Sequence, residues 1–140
     1  DTRVQAVVGL AAVTDMVADT ERRGGLSTSL QALLNCPPEL NDESRKVLRE
    51  FSPIDHVKPG LPPFLLIQGS ADRTVPWQQS ANFQAKLKEA GVACDLITLT
   101  NAQHSIVDWE KFDPGYKDKM AGWLKRTLVA GGAPVGTGAR

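Results

Sequence analysis

Cysteine and histidine are scarce in this chain, two of each among 140 residues. Cys36 and Cys94 fit no metal-ligand spacing, so both read as ordinary thiols, and nothing supports a pairing between them. No metal or organic cofactor is implied. Charge of one sign is also missing. Sixteen basic and sixteen acidic side chains cancel, and Lys and Arg form no dense run. That excludes the electrostatic footprint of a nucleic-acid binder and of a basic helix lying on a membrane surface. No apolar stretch approaches the roughly 20 residues that a membrane-spanning helix needs. No leader-like segment opens the chain. Its first residues run straight into a strand pattern, so the compartment stays open, secreted and periplasmic locations included.

What the chain does contain is one uncharged apolar run, Pro63-Phe64-Leu65-Leu66-Ile67-Gln68, that breaks into Gly69-Ser70-Ala71-Asp72. A run of this length between turn signals predicts a strand covered on both faces, as in a parallel sheet. The loop after it leaves the strand's carboxyl end, where open α/β sheets place their working residues.

The rest of the chain arranges itself around that strand. Residues 4–10, Val4-Gln5-Ala6-Val7-Val8-Gly9-Leu10, predict a first buried strand, with Thr14-Asp15 as a helix cap behind it. Residues 15–52 form a polar, mostly helical excursion over the carboxyl edge of the sheet. In it Leu30, Leu33 and Leu34 share one helical face, and Leu40, Val47, Leu48 and Phe51 another. After Asp72, Pro76 suits the first turn of a helix that buries Ser80, Phe83, Leu87 and Ala90, and Gly91 suits its left-handed end. Residues 94–100 predict the third strand, rich in β-branched residues, which ends in Asn101-Ala102-Gln103-His104-Ser105. A last helix from about Asp113 carries Tyr116, Met120, Trp123, Leu124 and Leu128 on one face. Residues 131–140, Gly-rich, are expected to form a flexible tail.

Strand, helix, strand, helix with short links predicts an α/β fold of parallel strands joined by crossover helices. At 140 residues the chain has room for one core, so residues 1–130 are expected to belong to a single domain. Parallel neighbours point the same way, so the loops holding Asp72 and His104 leave the same sheet edge. A carboxylate beside an imidazole orients the ring, and the ring can then act as a general base. Taken alone, an Asp in a Gly-containing loop is more often a turn residue. His56, in a Pro-rich approach loop, is expected to be structural.

The segment Gln68-Gly69-Ser70-Ala71-Asp72-Arg73-Thr74-Val75-Pro76-Trp77-Gln78-Gln79-Ser80, followed by Gln103-His104, resembles the C-terminal part of an α/β-hydrolase. More narrowly it resembles the esterase and lipase branch that includes bacterial feruloyl and acetyl-xylan esterases. Ser52-Pro53-Ile54, Pro62-Pro63-Phe64 and Val13-Thr14-Asp15 share that likeness, which covers roughly residues 3–128. The resemblance implies a serine ester hydrolase in which Asp72 is the orienting acid and His104 the general base. Its substrates would be small-molecule or polysaccharide-linked esters. One departure is Gln68, where the family usually has His. That position precedes the acid loop and need not touch the reaction.

The larger departure is the nucleophile. The family orders its triad Ser, Asp, His, with the Ser in a G-x-S-x-G elbow after a buried strand. Gly25-Leu26-Ser27-Thr28-Ser29 comes nearest, but Asp19-Thr20-Glu21-Arg22-Arg23-Gly24 before it is no core strand. Ser70 and Ser105 neighbour the acid and the base without lying on an elbow. The nucleophile half is therefore expected upstream of Asp1, in an N-terminal portion of the same domain. Two further readings stand beside this one. Prolyl-oligopeptidase-type peptidases carry a similar D-x-x-V-P-x-x-Q-S segment, and the chain alone could serve as a non-catalytic interaction module.

Overall fold

A computed structural model describes residues 3–131. The expected tail at 131–140 lies, beyond Gly131, outside the described residues. Three parallel strands, β1 (Val7–Leu10), β2 (Phe64–Gly69) and β3 (Cys94–Leu99), form one sheet in the order β1-β2-β3. Val7 pairs with Phe64, and Phe64 with Cys94.

The uncharged run occupies the middle strand, as predicted. Leu65, Leu66 and Ile67 are all buried, and alternation sends their side chains to opposite faces. Leu65 and Ile67 join Leu99, Trp109, Tyr116 and Trp123 in one cluster. Leu66 joins Phe83, Leu87, Val92 and Cys94 in the other. Burying each large aliphatic side chain contributes about 1.5–3 kcal/mol, so three in succession make β2 the most strongly anchored strand.

Helix α4 (Trp77–Glu89) covers one face and α5 (Tyr116–Gly131) the other. Gly91, at φ +73°, ends α4 as expected, its N–H bonded to the Lys88 carbonyl. In α5 the stripe holds through Tyr116 and Trp123, but Leu128 is exposed, beyond the part of the helix that packs on the sheet.

The excursion contains three helices, α1 (Met16–Arg23), α2 (Thr28–Leu34) and α3 (Asp42–Glu50), and returns through a 3-10 turn at Pro53–His56. Each helix has a side-chain cap. Asp15 accepts from Ala18 N–H, Ser27 from Leu30 N–H, and Asn41 forms a reciprocal capping box with Ser44. Leu26, Cys36 and Leu48 form a small core of their own there, with Leu30 packed against it.

Several sequence expectations fail on exposure. The first strand starts only at Val7 and is half-buried, with Val4 64% exposed. Its position at the end of the described strand order, with β2 alone beside it, leaves one flank open. Leu33 and Phe51 stand in solvent, because the α1–α3 core is too small to receive every apolar residue of the two stripes.

Cys36 and Cys94 are free thiols. Burial pushes the Cys94 thiol up to about 11, with Lys88 partly opposing the effect and Asp95 adding to it. The folded chain thus holds this proton more tightly than an unfolded one with the ordinary value of 9.0. Below that value both states keep the proton. Above it the unfolded thiol ionises first, so stability is lost from there until about pH 11. Melting temperatures across that window should fall more steeply for the wild type than for Cys94→Ala. Parallel curves would show that the thiol titrates alike in the folded and unfolded chain.

Candidate active site

The loops after β2 and β3 are stitched together before either functional side chain is placed. Ser70 N–H donates to the Leu99 carbonyl at 3.0 Å, Ala71 N–H to the Ala102 carbonyl at 3.0 Å, and Asn101 N–H to Ser70 Oγ at 2.8 Å. Asn101 adopts a left-handed conformation, φ +61°, to make the turn. The close fit is possible because residue 69 is glycine. A Cβ there would lie 2.3 Å from the Ala102 carbonyl oxygen.

Asp72 is buried in the first loop, and both of its carboxylate oxygens are occupied. Oδ1 accepts the backbone N–H groups of Thr74 and Val75, each at 2.9 Å. Oδ2 lies 2.9 Å from His104 Nδ1 and accepts the Gln68 amide Nε2 at 2.9 Å. The Asx-type curl explains the local fold. The side chain of Asp72 replaces backbone partners for Thr74 and Val75, and Pro76, at the N-cap of α4, has no N–H to satisfy.

His104 is placed by its neighbours in sequence. Ala102 is fully buried, and the fully buried Trp109 donates its indole N–H to the Gln103 carbonyl at 2.7 Å. Between these anchors the His104 side chain is 43% exposed while the Asp72 side chain is not exposed at all. With Nδ1 facing a carboxylate, the ring carries its proton there and presents Nε2 as the available base. Such a pair can serve chemically as an orienting acid and a general base.

The helical excursion reaches the same edge. Arg22 and Arg23 of α1 both donate to the Thr74 carbonyl, at 2.8 and 2.7 Å, and both pair with the buried Asp19. Thr14 and Asp15 are tied to α4 through Gln79, whose Oε1 accepts both backbone N–H groups, at 2.9 and 2.8 Å. The acid loop is therefore held from the side by residues 15–23.

The remaining sequence candidates separate cleanly. Ser27 caps α2 in a segment between two helices, with no strand before it. Ser70 Oγ is used by Asn101, and Ser105 precedes the 3-10 turn Ile106–Lys111. His56 is exposed and its ring meets the Glu50 carbonyl. Among the described residues, no three His, Cys, Asp or Glu side chains cluster as metal ligands, and no helix is long and apolar enough to cross a membrane.

Gln68, whose place in the sequence need not touch the reaction, reaches the pair indirectly: its amide meets the same carboxylate oxygen that meets His104. The reason is steric direction. The side chain of residue 68 points to the same face as Phe64 and Leu66, and the loop curls Asp72 back over it. An uncompensated amide in an otherwise apolar strand was the available signal, since a buried polar group needs a partner. Ser80, which periodicity places on one helix face with Phe83, Leu87 and Ala90, donates its hydroxyl to Gln68 Oε1 at 3.0 Å.

The family model described as BD-FAE matches residues 1–87, more than half of the chain. The chain belongs to the BD-FAE family. Two curated proteins of Mycobacterium tuberculosis agree with the BD-FAE assignment. Esterase LipC is 34% identical over 89 residues, 63% of this chain and 22% of that protein. Esterase LipQ is 42% identical over 60 residues, 42% of this chain and 14% of that protein. Among solved structures, apo Thermogutta terrifontis esterase 2 superposes with a TM-score of 0.64 at 26% identity, over 94% of this chain and 44% of the other. An acetyl ester-xyloside bifunctional hydrolase from Caldicellulosiruptor lactoaceticus matches in fold, with a TM-score of 0.70 at 22% identity, over 89% of this chain and 43% of that one. This BD-FAE chain thus spans less than a quarter of the two curated relatives and less than half of the two solved enzymes. Its three parallel strands with flanking helices fit the C-terminal part of an α/β-hydrolase sheet.

Proposed function

We propose that this BD-FAE chain supplies the acid and the base of a serine-dependent carboxylic ester hydrolase. The observation that carries the reading is the 2.9 Å contact between buried Asp72 and half-exposed His104, on loops that leave the same sheet edge. The serine would come from an N-terminal portion of the same domain.

In this mechanism His104 Nε2 takes the serine hydroxyl proton as the serine oxygen attacks the ester carbonyl carbon. Asp72 holds the ring's Nδ1 proton and stabilises the imidazolium. The tetrahedral adduct collapses, the ester C–O bond breaks, and His104 returns the proton to the departing alcohol. Water then repeats the sequence on the acyl-enzyme, releasing the acid and restoring the serine. Ester and water are the reactants that these steps consume.

The finer substrate assignment is an acyl ester of the acetyl or feruloyl type, on a small alcohol or on plant polysaccharide. The named esterases among the relatives and the BD-FAE membership support it over the peptidase reading. The test is intact mass after treatment with a fluorophosphonate probe. Adduct formation on a polypeptide that extends beyond these 140 residues, with the isolated 15.1 kDa chain unlabelled, is the expected result. Labelling of Ser27 in the isolated chain, or ester hydrolysis that the probe leaves untouched, would overturn it. An inert, unlabelled extended protein would leave the interaction-module reading standing.

A further inference from the structure

The Gln68 amide is fully buried, and its hydrogen bonds leave one orientation open to it. Nε2 faces two acceptors, Asp72 Oδ2 at 2.9 Å and the Val75 carbonyl at 3.1 Å. Oε1 receives the hydroxyl proton of Ser80, itself 1% exposed. Turning the amide over would set Oε1 against two oxygen acceptors, so both N–H groups are committed where they lie. The carboxylate is consequently held at both ends. Backbone N–H groups fix Oδ1 and the Gln68 amide fixes Oδ2, which stops its plane from rotating away from the imidazole.

We propose that Gln68 is a positioning residue, whose amide, locked by Ser80, sets the Asp72 carboxylate in the orientation that receives His104. The proposal rests on the acid-and-base reading above. The family's usual histidine at this position could make one such donation. The glutamine makes two and keeps its donor at every pH, because an amide does not titrate. Gln68 touches no reacting atom and acts only through Asp72.

The test compares Gln68→Met, Gln68→His and Ser80→Ala in the extended enzyme, with p-nitrophenyl acetate as the probe substrate. Gln68→Met keeps the length and removes the donor. Its turnover should fall about 10–100-fold with KM within about twofold, the scale of loss that small misplacements of catalytic groups produce. Gln68→His should recover most of that loss. Ser80→Ala, the milder change, removes the donor that holds Oε1, so the amide keeps its orientation but sits less firmly and should cost about 2–10-fold, a smaller version of the same positional effect. In parallel, the His104 Nδ1 proton, followed by NMR, should exchange with solvent faster in Gln68→Met and Ser80→Ala than in wild type. That signature would not move if Gln68 merely filled space. Folded variants with wild-type turnover and unchanged proton exchange would overturn the proposal. Should Gln68→Met fail to fold, Ser80→Ala decides alone by the same two readouts. Failure of the triad reading looks different: His104→Ala would then keep full activity, whatever Gln68 does.

Discussion

Asp72→Asn in the extended enzyme is expected to lower turnover about 10⁴-fold, the cost of the same change in a serine-protease triad. The local hydrogen bonds explain why so small a change is so costly. Every atom that faces the carboxylate is a donor: Thr74 and Val75 N–H on Oδ1, Gln68 Nε2 and His104 Nδ1 on Oδ2. An asparagine must aim its NH2 at one pair or the other. Aimed at the backbone pair it breaks the Asx curl. Aimed at Oδ2's partners it meets the Gln68 amide donor and forces His104 to accept at Nδ1. The ring proton then moves to Nε2, the atom that should take the serine's proton, and the base is lost. His104→Ala should abolish hydrolysis with little change in unfolding, because the ring is 43% exposed and its one described hydrogen bond is to Asp72. The loss of that bond is worth about 1 kcal/mol. Steady-state rates and urea midpoints for both variants check this, and near-wild-type turnover in the pair would end the triad reading.

Gly69→Ala is expected to be the most damaging single methyl added near the site. Its Cβ would sit 2.3 Å from the Ala102 carbonyl oxygen and 2.7 Å from that carbonyl's carbon. Both are backbone atoms, held by the bond from Ala71 N–H, so no flexible side chain can swing aside. The loops must part. Overpacking and one lost hydrogen bond together cost about 2–4 kcal/mol. The damage to function should exceed the damage to stability. His104 follows Ala102 by two residues, and a displacement of about 1 Å between base and acid is worth about 100-fold in rate. Gly115→Ala is the matched control, since a Cβ there meets its nearest neighbour, Asp113 Oδ1, at an ordinary 3.5 Å. Equal unfolding midpoints for the two variants would show that the loops are not in the contact described.

Much of this was readable from the sequence because the signals were local. The uncharged run of residues 63–68 could only be a covered strand, and Pro76 and Gly91 mark where α4 starts and stops. Parallel neighbours put Asp72 and His104 on one edge without any knowledge of side-chain contacts. The first strand was expected to be buried with nothing before it to pair against, and with β2 alone beside it among the described residues it is half-buried. The turn Ile106–Lys111 was missed. Its apolar residues follow neither the helix nor the strand period, although Trp109 is fully buried and anchors the histidine loop. Leu33 and Phe51 matched helical stripes, but periodicity says which residues share a face and not whether a core exists to receive them. Gln68 was undervalued because its partner was four residues away around a curl that Asp72 itself creates.

That curl has a consequence for the order in which the site assembles. Except for His104, every partner described for the Asp72 carboxylate lies between residues 68 and 75, and the Ser80 that locks Gln68 is only a few residues further on. Closing such short loops carries little entropic cost and is fast compared with long-range strand pairing. The acid therefore takes up its final pose as soon as β2 and the first turns of α4 have formed. His104 arrives later, once β3 has docked, and finds its acceptor waiting. On the proposed reading, a serine from the N-terminal portion would already be in the growing chain by then, so the docking of the His104 loop would be the step that completes the site.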